Sequence, residues 1–262
     1  MKTIALLYHD VVEGDPDSSG FPGPHAARYK LEFDEFERHV AALRQVPRID
    51  PLTVLERLHG KETCDQLMLT FDDGGLSAHT HVAGILDRYG WKGHFFVTAD
   101  FIGQPTFVTK EHIRALRKKG HVIGSHSCSH PERMSSLSWN HLVHEWSTST
   151  KILSDILGEP VTTASVPGGH YARRVAEAAS QAGIKILFTS EPVMTSHVVQ
   201  GCVVFGRYTI WRGMAPGVSA GIAVRRRGPR WRQFVFWNSK KMAKAVGGRF
   251  YSKAIRFLLQ RF

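Results

Sequence analysis

Short apolar runs alternate with helix-spaced segments along this chain, and that alternation limits the fold more than any other feature. Ile4–Tyr8, Leu67–Phe71, His94–Thr98, Val122–Ile123, Thr163–Val166 and Ile184–Phe188 each read as a buried strand. Between them, Phe33, Phe36, Val40 and Leu43 recur at helical spacing, and helices are expected over about 78–89, 109–119, 140–157 and 171–182. Gly120, Gly158 and Gly183 stand where helices commonly end on a left-handed residue. Residues 13–28, rich in Gly, Pro, Asp and Ser, read as a loop. Strands alternating with helices call for a mainly parallel sheet, open or closed, whose strand C-termini line the working face. His9, Asp72, Asp73, His126 and the Pro167-Gly168-Gly169 turn all come directly after an apolar run.

The net charge of +11 is unevenly spread. Twelve Lys and Arg lie between Arg225 and Arg261, and no acidic residue follows Glu191. Without those twelve, the remainder carries about −1. Basicity thus belongs to a tail, which argues against a nucleic-acid-binding domain. The expected division is a domain over 1–224 and a basic extension over 225–262. With 262 residues, 42% of them hydrophobic, the chain can build one barrel-sized core. The apolar stretch before Tyr8 is too short for a secretory signal, and no run of about 20 apolar residues offers a membrane span. Cys64, Cys128 and Cys202 are few and far apart, as in a reducing compartment. A cytoplasmic protein, free or held at the inner face of a membrane, is the expectation.

Two chemistry-bearing clusters stand out. Adjacent carboxylates such as Asp72 and Asp73 resist ionising together unless a cation is near. His126 and His130 are four apart and would face the same way on a helical turn. One carboxylate with two imidazoles suits Zn²⁺ first, and Co²⁺, Ni²⁺ or Fe²⁺ as well, with positions left for water and substrate. Taken singly, the aspartates could equally cap a turn and the histidines lie at the surface.

Thr70-Phe71-Asp72-Asp73-Gly74 and His126-Ser127-Cys128-Ser129-His130 resemble the first two motifs of the NodB-type polysaccharide deacetylases, carbohydrate esterase family 4. Leu7-Tyr8-His9-Asp10-Val11 and Gly93-His94-Phe95-Phe96-Val97 extend the resemblance over roughly residues 1–190. It implies a distorted (β/α) barrel of the NodB type, with a divalent metal held by Asp73, His126 and His130. It makes Asp72 the general base and gives the amide of Gly168 to the oxyanion, with Tyr171 beside the substrate. Ser127 matches a motif position without being a ligand. The implied reaction is removal of an N-acyl group, acetyl first, from an amino sugar of a polysaccharide or lipid-linked glycan. A deformylase or O-deacetylase would use the same residues, and an inactive glycan-binding relative would keep the same fold.

The chain also departs from the family pattern. Ser165 stands where the third motif carries an arginine that orients the base, and it is too short and uncharged to substitute. Arg207 is the candidate replacement, against an ordinary surface arginine. The late histidine motif that supplies the acid is not recognisable, leaving His9 and His170 as candidates; His197 lies in an unpatterned stretch. In the tail, Tyr251, Ile255, Leu258, Leu259 and Phe262 share one helical face and basic residues another, after an aromatic group of Trp231, Phe234 and Trp237. That pattern reads as contact with an anionic membrane surface, against a helix simply packed on the barrel.

Overall fold

The structure, a computed structural model, describes residues 3–47, 51–54 and 66–239. Strands β1 (Thr3–Tyr8), β4 (Gln66–Phe71), β5 (His94–Val97), β6 (Val122–Ser125), β7 (Thr163–Ser165), β8 (Ile186–Phe188), β9 (His197–Val199), β10 (Cys202–Phe205) and β11 (Tyr208–Thr209) form one sheet. Its order is β11-β1-β4-β5-β6-β7-β8-β10-β9. Every neighbouring pair is parallel except β9 with β10. A separate ribbon pairs β2 (Val11–Val12) with β3 (Leu31–Glu32).

Chain continuity forces this sheet to curl. β10 lies beside β8 and β11 at the far edge beside β1, yet only Gly206 and Arg207 separate them. Side-chain alternation tells the same story. Ala5 of β1, Met68 of β4 and Phe96 of β5 point inward and meet Ile186, Phe188 and Phe205 from the opposite wall. Their neighbours Ile4, Leu6, Leu67, Leu69 and Phe95 point outward into the helical layer. The distorted barrel implied by the resemblance is therefore present, with its lumen filled by side chains.

The outer layer contains α1 (Phe33–Arg44), α2 (Ala83–Arg88), α3 (Lys110–Lys118), α4 (Trp139–Leu157), α5 (Arg173–Gln181) and α6 (Pro216–Ala223). Local chemistry sets their ends. The Thr109 hydroxyl caps α3, that of Ser138 caps α4, and Gly158 at φ 71° closes α4. A π-helical turn, Ala78–Val82, leads into α2. The expected helices appear with ends within two residues. By contrast, β9, β10, β11 and α6 are not among the elements expected from the sequence pattern.

Part of the basic extension packs on the barrel. A helix runs through 227–239. The Gln233 amide accepts from the Thr209 N–H (3.1 Å) and donates to the Thr209 carbonyl (2.8 Å), standing in for a neighbouring strand at the β11 edge. The expected amphipathic face from Tyr251 to Phe262 lies outside the described residues. Among the described residues no helix is long and apolar enough to cross a membrane, and Cys128 and Cys202 are buried free thiols.

Candidate active site

Asp73 follows the end of β4, and His126 and His130 follow the end of β6. Asp73 Oδ1 lies 3.3 Å from His126 Nε2 and 3.4 Å from His130 Nε2. The three donor atoms all fall within 4.8 Å of one another. The sequence expectation of a helical turn between the histidines is wrong. Residues 126–130 form a loop, and the rings converge because Ser127 and His130 take left-handed backbone at φ 65° and 57°. Asp73 is left-handed too, at φ 75°.

Side chains hold that uncommon backbone. Ser125 Oγ accepts from the Ser127 N–H (3.1 Å), and Ser127 Oγ accepts from the His130 N–H (3.0 Å). Ser127 thus shapes the loop and is no ligand. Glu145, reaching in from α4, accepts from the Cys128 and Ser129 N–H groups (2.9 Å each) and from the Ser129 hydroxyl (2.6 Å). Sequence reasoning missed Glu145. Its signal is an acid placed on the buried face of α4 with Leu142, Trp146 and Ser149. Glu145→Gln replaces an acceptor of three hydrogen bonds by a group with one acceptor oxygen. The expected result is about 1–3 kcal/mol lost from stability and roughly 10–100-fold weaker metal binding. Thermal unfolding and competition against a chromogenic chelator measure these, and wild-type metal affinity in the variant would remove Glu145 from the site.

The tautomer of His126 follows from its neighbours. Its Nδ1 lies 3.1 Å from the Ser165 carbonyl and 2.8 Å from Ser165 Oγ, whose own proton goes to Asp72 Oδ1 at 3.0 Å. Nδ1 is therefore the donor toward Ser165, and Nε2 is the nitrogen that faces Asp73. Burial pushes the Asp73 carboxyl up, but the His126 and His130 imidazoles pull it well below the carboxylate range. Burial disfavours charge on His130 as well, yet Asp73 outweighs it and raises that imidazole.

Arg207 joins the site from the link between β10 and β11. Its guanidinium grips Asp72 with both nitrogens, NH1 to Oδ1 at 2.7 Å and NH2 to Oδ2 at 2.8 Å. Nε donates to the Thr189 carbonyl (3.0 Å) and NH1 also to Thr70 Oγ1 (3.2 Å). The side chain is fully buried beside the rings of Phe96 and Phe188. Burial raises the Asp72 carboxyl, and Arg207 with His126 more than offsets it, leaving Asp72 below its ordinary value and ionised. Ser165 is in the same network, donating to Asp72, so the position lacking arginine still touches that carboxylate. Asp72 Oδ2 lies 3.9 Å from His126 Nε2, on the side of the histidine pair.

His9 follows β1 just as Asp72 follows β4, and the Asp72 N–H donates to the Tyr8 carbonyl (3.1 Å), so the two are neighbours. Its ring leans on Tyr29 at 4.8 Å, and its Nδ1 is buried without a partner among the described residues. Burial lowers its pKa, opposed by Asp73 and Asp72. Gly168, at φ 64°, His170 and Tyr171 line an adjoining cavity of about 620 Å³. A Cβ on Gly168 would meet the Glu132 carbonyl at 2.7 Å, so only glycine fits there. Tyr171 pairs through its hydroxyl with His197 of the edge strand β9 (3.1 Å), and is not hydrogen-bonded to the Asp72–Asp73 cluster.

Fold and site together define a barrel-type α/β protein with a clamped carboxylate and a converging triplet of one carboxylate and two imidazoles at its strand ends. The family model described as polysaccharide deacetylase matches residues 59–187, just under half of the chain, which is similar to that family over this stretch. YxkH of Bacillus subtilis (strain 168), which carries a polysaccharide-deacetylase name, is 25% identical over 220 residues, covering 82% of this chain and 73% of YxkH. The peptidoglycan-N-acetylglucosamine deacetylase PgdA of Listeria monocytogenes serotype 1/2a (strain 10403S) is 32% identical over 119 residues, 44% of this chain and 24% of PgdA. The structure of the Streptococcus pyogenes deacetylase PplD in complex with acetate superposes with a TM-score of 0.69 at 20% identity. It covers 83% of this chain and 96% of PplD, a likeness of fold.

Proposed function

We propose that this chain hydrolyses the N-acyl group, acetyl in the first instance, of an amino sugar in a polysaccharide or lipid-linked glycan, using a divalent metal at Asp73, His126 and His130. The observation that carries this reading is the ionised, arginine-clamped Asp72 set beside a triplet of one carboxylate and two imidazole donors. The triplet fits a divalent transition metal: three donors converge, and His126 is held from behind through Nδ1. Such an ion, when bound, supplies Lewis-acid polarisation of the acyl carbonyl and a lowered pKa for water.

The remaining steps belong to the chain's own residues. Asp72 accepts at Oδ2 the proton of the attacking water, while Arg207 fixes the carboxylate through both oxygens and Ser165 through Oδ1. The Gly168 amide takes the oxyanion. The C–N bond then breaks, the proton taken by Asp72 is passed to the leaving nitrogen by way of His9, and acetate, a free amine and an ionised Asp72 remain. Relatives support the substrate class, since PgdA is named for N-acetylglucosamine and PplD was solved with acetate.

Metal content after dialysis, measured with acetate release from N-acetylglucosamine oligomers, tests this. The expected result is about one equivalent of metal in the wild type and little in His126→Ala, with release tracking metal. Acetate release at the full rate by metal-stripped protein would sink the metal-dependent reading.

We extend the proposal to an anionic membrane surface as a partner. Trp231 (61% exposed), Phe234 and Val235 share an outward helix face, with Arg226, Arg227 and Arg232 also exposed and no acid in the segment. Trp231→Ser with Phe234→Ser is expected to lower flotation with phosphatidylserine liposomes about tenfold or more. Undiminished flotation would mean that this face does not touch the bilayer.

A further inference from the structure

The stretch from 13 to 28 is more than a connection between β2 and β3. Its Phe21 ring lies 4.7 Å from that of His130, centre to centre, and packs against Phe101 (4.7 Å) and Phe107 (5.0 Å). Residues 19–23 belong to no helix or strand, so backbone pairing does not place that ring. Two buried side chains, Lys30 and Asp10, do.

Lys30 is 1% exposed, and its ammonium donates to the carbonyls of Pro16, Ser19 and Phe21, each at 2.6 Å. An ammonium has three N–H donors, and all three are used. Carbonyls spread over 16–21 converge on one nitrogen, which draws that segment into a tight strap. Asp10, 2% exposed, ties the strap down. Its Oδ1 accepts from Ser19 Oγ (2.6 Å) and from Ser77 Oγ (2.8 Å), in the loop that follows Asp72 and Asp73. Gly20, at φ 67°, and Gly75 leave room for it, since a Cβ on either would overlap the Asp10 carboxylate. On the other side, the Thr106 carbonyl accepts from the Gly20 N–H (2.8 Å), and Thr106 Oγ1 donates to the Gly20 carbonyl (3.0 Å). The strap is thereby pinned next to Phe107.

The two imidazoles of the triplet are held differently. His126 is fixed through Nδ1 by Ser165. His130 has its backbone N–H bonded to Ser127 and its ring beside Phe21. A ring packed on an imidazole restricts its rotation, and so the direction of Nε2, which lies 3.4 Å from Asp73 Oδ1. We infer that Phe21 and Lys30 are positioning residues for His130: the ammonium gathers 16–21 into a strap, and the strap holds the Phe21 ring against the imidazole. Only the use to which His130 is put rests on the metal-dependent deacetylase reading.

Two readouts on the full chain test this, both taken below the melting temperature. One is the NMR position of the His130 ring protons in metal-free protein, which feel the ring current of Phe21. The other is Zn²⁺ affinity by competition with a chromogenic chelator. Phe21→Ala is expected to displace the His130 signals, and Lys30→Met, equally long but without donors, to displace them too. Zn²⁺ affinity should fall about tenfold or more in both. Val40→Ala, a core change in α1, controls for lost stability and should leave both readouts as in the wild type. Lys30→Gln, which keeps an amide donor, serves if Lys30→Met does not fold. If neither Lys30 variant folds, Lys30 serves the fold rather than the site, and its half of the inference falls. Wild-type His130 signals in a folded Lys30 variant, or wild-type Zn²⁺ affinity in Phe21→Ala, would overturn the inference while the deacetylase reading stands. No Zn²⁺ bound by the wild type, with the His130 signals displaced in both variants, would sink the metal-dependent reading and leave the strap standing.

Discussion

Asp72→Asn is expected to lower acetate release by roughly 10²–10⁴-fold, the usual worth of a general base, while the protein keeps its metal. The change removes the proton-accepting oxygen and little else in shape. Asn can still accept from Arg207 NH1 and Ser165 through its one oxygen, but it cannot accept a proton from water. Metal retention follows because Asp73, not Asp72, lies beside both imidazoles. The variant also leaves the buried Arg207 charge uncompensated, so a lower melting temperature is expected and turnover must be read below it. Turnover and elemental analysis on one preparation decide the matter. Loss of metal in Asp72→Asn would show that the two aspartates exchange roles; unimpaired turnover would remove Asp72 from the chemistry.

How far the sequence could lead is seen by comparing His126 with Arg207. Asp72, Asp73 and His126 each follow an apolar run, and in a parallel barrel that position alone brings them to one face. Its spacing picks out His130, for a reason the structure corrects. A helical turn is not what aligns it with His126. Left-handed backbone at Ser127 and His130 does, held by Ser125, Ser127 and Glu145. Those hydrogen bonds run between distant elements, and no local pattern announces them. Arg207 stands in a stretch with no periodicity. It reaches Asp72 only because β10 and β11, two residues apart, lie at opposite sides of the sheet order. Gly206 permits that crossing, since a Cβ there would meet the Glu191 carbonyl at 2.3 Å. Strand pairing at that range is a tertiary fact, as is the docking of Gln233 on Thr209 that brings part of the basic extension to the site.

Arg207→Met is expected to be the most destabilising single change at this site. Arg207 is fully buried, and its removal leaves Asp72 charged, desolvated and held only by Ser165 at 3.0 Å. Removing one member of a buried pair costs about 3–5 kcal/mol, which for a domain of this size is roughly 6–20 °C of melting temperature. The Thr189 carbonyl and Thr70 hydroxyl lose a donor as well. Turnover should fall with stability, because a carboxylate freed from its two-point grip no longer presents Oδ2 in a fixed direction. Arg207→Lys separates the two effects. An ammonium keeps the charge but not the fork, so stability should recover in part while turnover stays low. Thermal unfolding and acetate release across wild type, Met and Lys give the result. If Arg207→Met melts within about 1 °C of wild type and keeps its turnover, the guanidinium is a bystander. If Lys restores turnover fully, its charge matters and its geometry does not.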